Sequence, residues 1–203
     1  MTSTTARHLA ADTGGRADVL CEVRWHGRGG QGAISSAAIL ALAAYRGGWQ
    51  GVTSAPSFGA ERRGSPVTAS TRLSSAPIRI FSQVVCPDIA VVLDDTLLDV
   101  AQAAVGVKPG GWLVVNTCQA AAALGIDGTL RVATVDATGI ALAHGLFAAG
   151  SVMVNTTMLG AVARAASIVS MAHIETALAE KFVPPTLEKN IACARLAYES
   201  TRL

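Results

Sequence analysis

The sequence predicts an α/β domain of three layers, built on a mostly parallel sheet and ending in a helical C-terminal third. Three observations lead there. Short strand-like runs alternate with longer segments of helical periodicity, the order that strand–helix–strand units produce. Two of the runs, IAVVL at 89–93 and WLVVN at 112–116, are apolar almost without interruption, as strands covered on both faces are. From residue 138 onward, helical patterns follow one another with little between them.

Residues 1–18 carry no sustained periodicity and read as a flexible N-terminal tail, leaving 19–203 as one domain of ordinary size. A strand is expected at 19–25. The stretch HGRGGQG, 26–32, follows it, and a helix at 31–46 closes on Gly47-Gly48, a usual C-terminal punctuation. Residues 66–73 (PVTASTRL) and 77–81 (PIRIF) read as two short strands split by Ser74-Ser75, a hairpin that would make the sheet mixed. Strands at 89–93, 112–116 and 130–135 alternate with a helical pattern near 95–105. The chain finishes with helices at 138–149, 152–168, 172–181 and 185–200.

Composition narrows the function classes. Of 203 residues, 51% are hydrophobic, 15% charged and 4% aromatic, so small aliphatic side chains build the interior. So few charges fit a subunit that buries part of its exterior against partners, with an alanine-rich monomer as the alternative. A net charge of +2 with no basic run beyond Arg62-Arg63 lacks the footprint of a nucleic-acid binder. No apolar stretch is long enough to span a bilayer and the start lacks an apolar leader, so the expected location is the cytoplasm. Cys21, Cys86, Cys118 and Cys193 form no C-x-x-C pair and read as buried free thiols, which puts any iron–sulfur chemistry on another chain. His8, His26, His144 and His173 show no metal spacing; His26 abuts the glycine stretch.

Gly27, Gly29 and Gly32 fall in the G-x-G-x-x-G pattern after a strand and before a helix. Such a turn offers backbone N–H groups and a positive helix end to an anion, and makes the fold Rossmann-like. A dinucleotide would also need an acid about 20 residues on. The corresponding region, GGWQGVTSAP at 47–56, has none, which argues against NAD; glycines needed only for close packing are the other reading. A second segment, APSFGAERRGSPV at 55–67, concentrates Glu61, Arg62 and Arg63 in a charge-poor chain. Adjacent arginines suit carboxylate or phosphate groups, and a salt-bridge cluster between subunits explains them equally. Asn155 and Thr156 open a helix and read as caps. Asp94, Asp95 and Asp136 follow strands, where α/β folds put either caps or ligand residues.

HGRGGQG, PSFGAERRG, PDIAVVLDDTLL (87–98), GGWLVVNT (110–117), VDATGIA (135–141) and NTTMLGA (155–161), in this order, closely resemble the gamma subunit of the 2-oxoacid:ferredoxin oxidoreductases, the pyruvate synthase type above all. The resemblance runs from about residue 20 to KNIACARLAYE at 189–199. It departs in the N-terminal tail and at Ala60, where proline is expected. It implies a component of a complex that oxidatively decarboxylates a 2-oxoacid with coenzyme A, giving acyl-CoA, carbon dioxide and two electrons for ferredoxin. Thiamine diphosphate, Mg2+ and [4Fe–4S] clusters would sit on alpha, beta and delta partner chains, with no cofactor held by this chain alone. By the same resemblance Gly29, Gly30, Gln31 and Gly32 shape the loop at the helix N-terminus. Ser57, Phe58, Glu61, Arg62 and Arg63 line the neighbouring junction, together suiting the phosphates of coenzyme A or serving purely as interface. A branched-chain or aryl 2-oxoacid complex, electron transfer to NAD through a flavin subunit, a free-standing nucleotide-binding module and a bridging scaffold are the alternatives.

Overall fold

A computed structural model describes residues 19–57, 64–80, 82–148 and 150–203. Six strands, β1 (Leu20–Arg28), β2 (Gly51–Ser57), β3 (Pro66–Ser74), β4 (Ile89–Val92), β5 (Trp112–Asn116) and β6 (Arg131–Val135), form one sheet in the order β2-β3-β1-β4-β5-β6. Strands β1, β4, β5 and β6 pair in parallel, and β3 runs antiparallel to both of its neighbours. The sheet is therefore mostly parallel and mixed. Helices α1 (Ala33–Arg46), α2 (Leu97–Val100), α3 (Ala137–Ala143), α4 (Asn155–Ala166), α5 (Met171–Ala179) and α6 (Thr186–Ser200) complete it, with a small hairpin of β7 (Phe147–Ala148) and β8 (Ser151–Val152).

The two faces of the sheet are covered unequally. On one, Val23, Trp25, Val91, Val114 and Val135 pack with Leu40 of α1, Met158 and Leu159 of α4 and Ile174 of α5 in the main core. The alternate residues Ala90, Val92, Leu113 and Val115 join Leu97, Ala103 and Val107 in a smaller cluster on the other face. Side chains alternate across a strand, so four residues buried in a row in β4 require cover on both sides. Trp25 meets the polar requirement of its burial by donating to Thr71 Oγ1 (3.1 Å), whose hydroxyl donates to the Ala37 carbonyl (2.9 Å).

Over β1 and β3 the second face is polar. The Arg24 guanidinium donates to the carbonyls of Val85 (2.9 Å), Ala103 (3.3 Å) and Val105 (2.5 Å), tying two irregular segments down. Buried Arg72 pairs with Glu22 at 2.8 Å. Helices α4 and α6 meet at Gly160, where a Cβ would lie 1.9 Å from the Ala194 carbonyl oxygen. The C-terminus closes the β6 edge through reciprocal Thr134–Arg202 backbone bonds of 2.9 Å. No helix among the described residues is long and apolar enough to cross a membrane.

Several expected elements differ. β2 carries no apolar pattern because it is an edge strand containing Pro56. Residues 77–80 form no strand; the carbonyls of Ile80 and Ser82 accept from Arg72 instead of a ladder. The helix near 95–105 shrinks to α2, since the chain turns at Gln102 (φ 45°) to bury Ala103. The helix at 138–149 stops at Ala143, where Gly145 (φ 60°) leads into the β7–β8 hairpin. Residues 1–18, Phe81 and Ala149 lie outside the described residues.

Candidate functional site

The glycine turn stands at the C-terminal end of β1, the end of a parallel sheet where α/β folds gather ligands. Gly27 is still strand, and a Cβ there would press on Leu93 (3.1 Å) and Ala33 (3.2 Å). Gly29 pairs across the top of the sheet: its N–H donates to the Ser65 carbonyl (2.8 Å), and its carbonyl accepts from the Gly64 N–H (3.1 Å). Gly30 (φ +97°) and Gly32 (φ +80°) are left-handed, which glycine adopts at no steric cost. Gly32 is the N-cap of α1; the helix has no side-chain cap and no acid in its first turn.

Gln31 locks the turn. Its Oε1 accepts from the Arg28 N–H (2.7 Å) and its Nε2 donates to Asp94 Oδ2 (3.3 Å). Arg28 donates from Nε to the same carboxylate oxygen (2.9 Å), and from its terminal nitrogens to Gly64 O (3.1 Å) and Thr96 Oγ1 (2.6 Å). Thr96 returns its N–H to Asp94 Oδ1 at 3.1 Å. Burial pushes the Asp94 carboxyl up, but the bonds from Thr96 and Arg28 outweigh it and hold the group below its ordinary value.

This arrangement alters the dinucleotide argument. β4 is the parallel strand beside β1, so the spatial counterpart of the ribose-binding acid is Asp94, far along the chain rather than within 47–56. Its carboxylate is taken up by Arg28, Gln31 and Thr96, consistent with the argument against NAD. Asp94 and Asp95 also edge a cleft of about 250 Å³ with Asn116, Cys118, Asp136 and Thr138. Asp136 caps α3, accepting from the Gly139 N–H at 2.7 Å, and Asp95 accepts from Thr117 Oγ1 at 2.8 Å.

Of the second segment, Ser57 ends β2 opposite Thr68, and Gly64 and Ser65 are held against Gly29. Phe58, Glu61, Arg62 and Arg63 lie outside the described residues. Asn155 does not cap α4. The N-cap position is Val154, and Asn155 is already helical, so its side chain cannot reach back to the first amides. The carboxamide packs against Gly32, where a Cβ would come 2.7 Å from Nδ2. Thr156 does not cap either and donates to Asn190 Oδ1 (2.5 Å). Arg28, Thr96 and the Gly32–Asn155 contact were not foreseen; a charged residue inside HGRGGQG was the available signal for the first.

His26 is buried on β1, accepting at Nε2 from Arg24 Nε (2.9 Å), with Nδ1 unpaired among the described residues. Burial, then the Arg24 charge, hold its imidazole down at about 4. The cysteines are all free. Cys193 is buried and Cys21 partly so, with burial and then Asp88 pushing the Cys21 thiol up to about 12. Cys86 and Cys118 are exposed, contrary to expectation, because both lie just outside the apolar strands that suggested burial. Among the described residues no group of three or more His, Cys, Asp or Glu could hold a metal ion.

The pyruvate ferredoxin/flavodoxin oxidoreductase family matches residues 22–200. The chain belongs to this family. It is 43% identical over 186 residues to the pyruvate/ketoisovalerate oxidoreductases common subunit gamma of Thermococcus kodakarensis, covering 90% of this chain and 97% of that one. It is 42% identical to the pyruvate synthase subunit PorC of Methanothermobacter marburgensis, over 90% of this chain and 98% of the relative. Among solved structures, the pyruvate oxidoreductase subunit PORC of Thermotoga maritima superposes with a TM-score of 0.77 at 35% identity, covering 90% of this chain and 97% of that one. A 2-oxoglutarate:ferredoxin oxidoreductase chain from Magnetococcus marinus shares the fold over 91% of this chain and 31% of its own (TM-score 0.67, 18% identity). This fold, then, occurs both as a chain of its own and as one part of a longer chain.

Proposed function

We propose that this chain is the gamma-type subunit of a thiamine-diphosphate-dependent 2-oxoacid oxidoreductase complex, working in the cytoplasm. The observation that carries this reading is the near end-to-end match to gamma and PorC chains, with 97% of the Thermococcus relative's length covered. The reaction is oxidation of pyruvate or a related 2-oxoacid with coenzyme A, yielding acyl-CoA, carbon dioxide and two electrons for ferredoxin. Thiamine diphosphate with Mg2+ supplies the decarboxylation chemistry on the alpha and beta chains, and [4Fe–4S] clusters on a beta or delta chain carry the electrons.

This chain's own part is binding and assembly. The uncapped start of α1 and the open space at Gly30 suit a phosphate of coenzyme A, with Arg62 and Arg63 supplying bidentate donors. Gly29's bonds to Gly64 and Ser65 support reading the turn and the arginine loop as one surface. Ser57, Phe58 and Glu61 belong to the junction with the neighbouring chain in this reading.

The test is reconstitution. The complex with and without this chain is assayed for 2-oxoacid- and coenzyme A-dependent reduction of ferredoxin, and its subunits are identified after purification. Dependence on this chain is the expected outcome; full activity without it, or purification of the chain alone, refutes the assignment. A second reading concerns substrate. The Thermococcus and Pyrococcus relatives are named as common to pyruvate and ketoisovalerate oxidoreductases, which favours a gamma chain shared between two complexes, the choice of oxoacid residing in the partners.

A further inference from the structure

Helices α3 and α6 leave a groove of about 560 Å³ between them at the surface, lined on its apolar side by Gly139, Ile140 and Ala143 of α3 and Leu196 of α6. The α3 residues recur at three and four positions, so they form one stripe along the helix. Gly139 and Ala143, one turn apart, keep that wall of the groove low. Beside it the surface rises. Leu142 of α3 is 49% exposed, and Phe147, on the β7–β8 hairpin that follows the helix, is 54% exposed. A hollow and two large apolar projections therefore adjoin one another, in a chain of which only 15% is charged.

Two opposite charges rim the groove. Asp136, at the start of α3, spends one carboxylate oxygen on the Gly139 N–H (2.7 Å). Arg202, just beyond α6, is held by the carbonyls of Cys118 and Gln119, each 2.9 Å from the same terminal nitrogen. Both line the groove, yet neither forms an ion pair among the described residues.

A patch with one bare carboxylate, one bare guanidinium, a hollow and a projection is complementary to itself. Across a two-fold axis every contact is made twice. Asp136 of each copy faces Arg202 of the other, and the Phe147 ring of each enters the opposite groove over Gly139 and Ala143. A partner of different sequence would have to supply both charges and a projection of its own; a second copy already carries them. We propose that the α3–α6 groove is an isologous contact between two copies of this chain, with reciprocal Asp136–Arg202 ion pairs around an apolar centre. The contact is independent of the coenzyme A reading.

Two measurements test it. In the assembled complex, Phe147 is replaced by benzoylphenylalanine, which keeps an aromatic projection and cross-links its neighbour on illumination. An adduct of two copies of this chain is expected; an adduct with a different subunit, or none between copies, overturns the proposal. The full chain is also produced separately and its dimer dissociation constant read from sedimentation over a dilution series. Arg202→Glu sets carboxylates against each other at both symmetric places and is expected to weaken the dimer at least about ten-fold. Adding Asp136→Lys reverses both signs and recovers most of that loss, although it gives up the α3 cap. Ala143→Arg fills the groove from an exposed position where arginine suits a helix, and is expected to leave a monomer with the parent's circular dichroism spectrum. A monomeric parent, a dimer as tight in Ala143→Arg or Arg202→Glu as in the parent, or a double variant no tighter than Arg202→Glu overturns the proposal. If Arg202→Glu does not fold, Ala143→Arg and the cross-link decide.

Discussion

Gly160→Ala puts the seam between α4 and α6 under a measurable load. The added Cβ would lie 1.9 Å from the Ala194 carbonyl oxygen, 2.8 Å from its carbon and 3.0 Å from the Tyr198 N. All three are main-chain atoms of a helix, so no rotamer change absorbs the overlap, and α6 must retreat by about 1 Å or more. Over-packing by one methyl costs roughly 1–3 kcal/mol, and a rigid neighbour places this case near the upper end. Alanine's better helix propensity returns about 1 kcal/mol. The net is about 2 kcal/mol of destabilisation, which for a chain of this size lowers Tm by roughly 4–8 °C. Thermal unfolding followed by far-ultraviolet circular dichroism measures it, with Gly128→Ala as control because nothing lies within 4 Å of that position. A Tm for Gly160→Ala equal to or above the parent's would show that the helices part freely and refute the argument.

Two further outcomes follow from the turn and from His26. Gly32→Ala and Gly30→Ala both force alanine into the left-handed region, at roughly 1–2 kcal/mol, but only the first also strikes Asn155. Gly32→Ala therefore melts lower than Gly30→Ala, and equal melting temperatures would contradict the contact. His26 has its folded-state pKa lowered from 6.5 to about 4, so its contribution to stability is full above 6.5 and is lost as pH falls toward 4. The shift corresponds to roughly 3 kcal/mol. The Asp94 contribution is lost only below its ordinary 3.8, outside that window. Urea midpoints between about pH 7.5 and 4.5 fall steeply in the parent and much less in His26→Leu; identical slopes would remove His26 from the account.

The parts of the fold visible in the sequence are those where burial alone decides the residue. β4 and β5 lie between two covered faces and read as IAVV and WLVVN, and α1 announces itself by its apolar spacing and closing glycines. What escaped is held by polar groups acting over distance. Residues 77–80 look strand-like, yet nearby carbonyls answer to Arg72 from another strand, and no local pattern encodes that. β2 is an edge strand whose pairing with β3 needs no apolar face. At the site, the glycine positions and the loop after β2 were legible as motifs. The locking of Asp94 onto Arg28 and Gln31 was not, because the strand that delivers Asp94 to β1 is separated from it by the β2–β3 excursion. Asn155 looked like a cap from its place in the chain; a side chain caps only where its own backbone is still non-helical, and Asn155 is already inside the helix.

The bonds between Gly29 and the Gly64–Ser65 pair have a corollary for loop length. They clamp one end of the β2–β3 connection, and the Ser57–Thr68 pairing clamps the other. Insertions and deletions between the clamps change closure entropy only slowly with length and leave the strand registers alone. The registers of β2 and β3 thus do not depend on the length of this connection, so a constraint on the PSFGAERRG pattern would come from its chemistry rather than from the sheet that holds its ends.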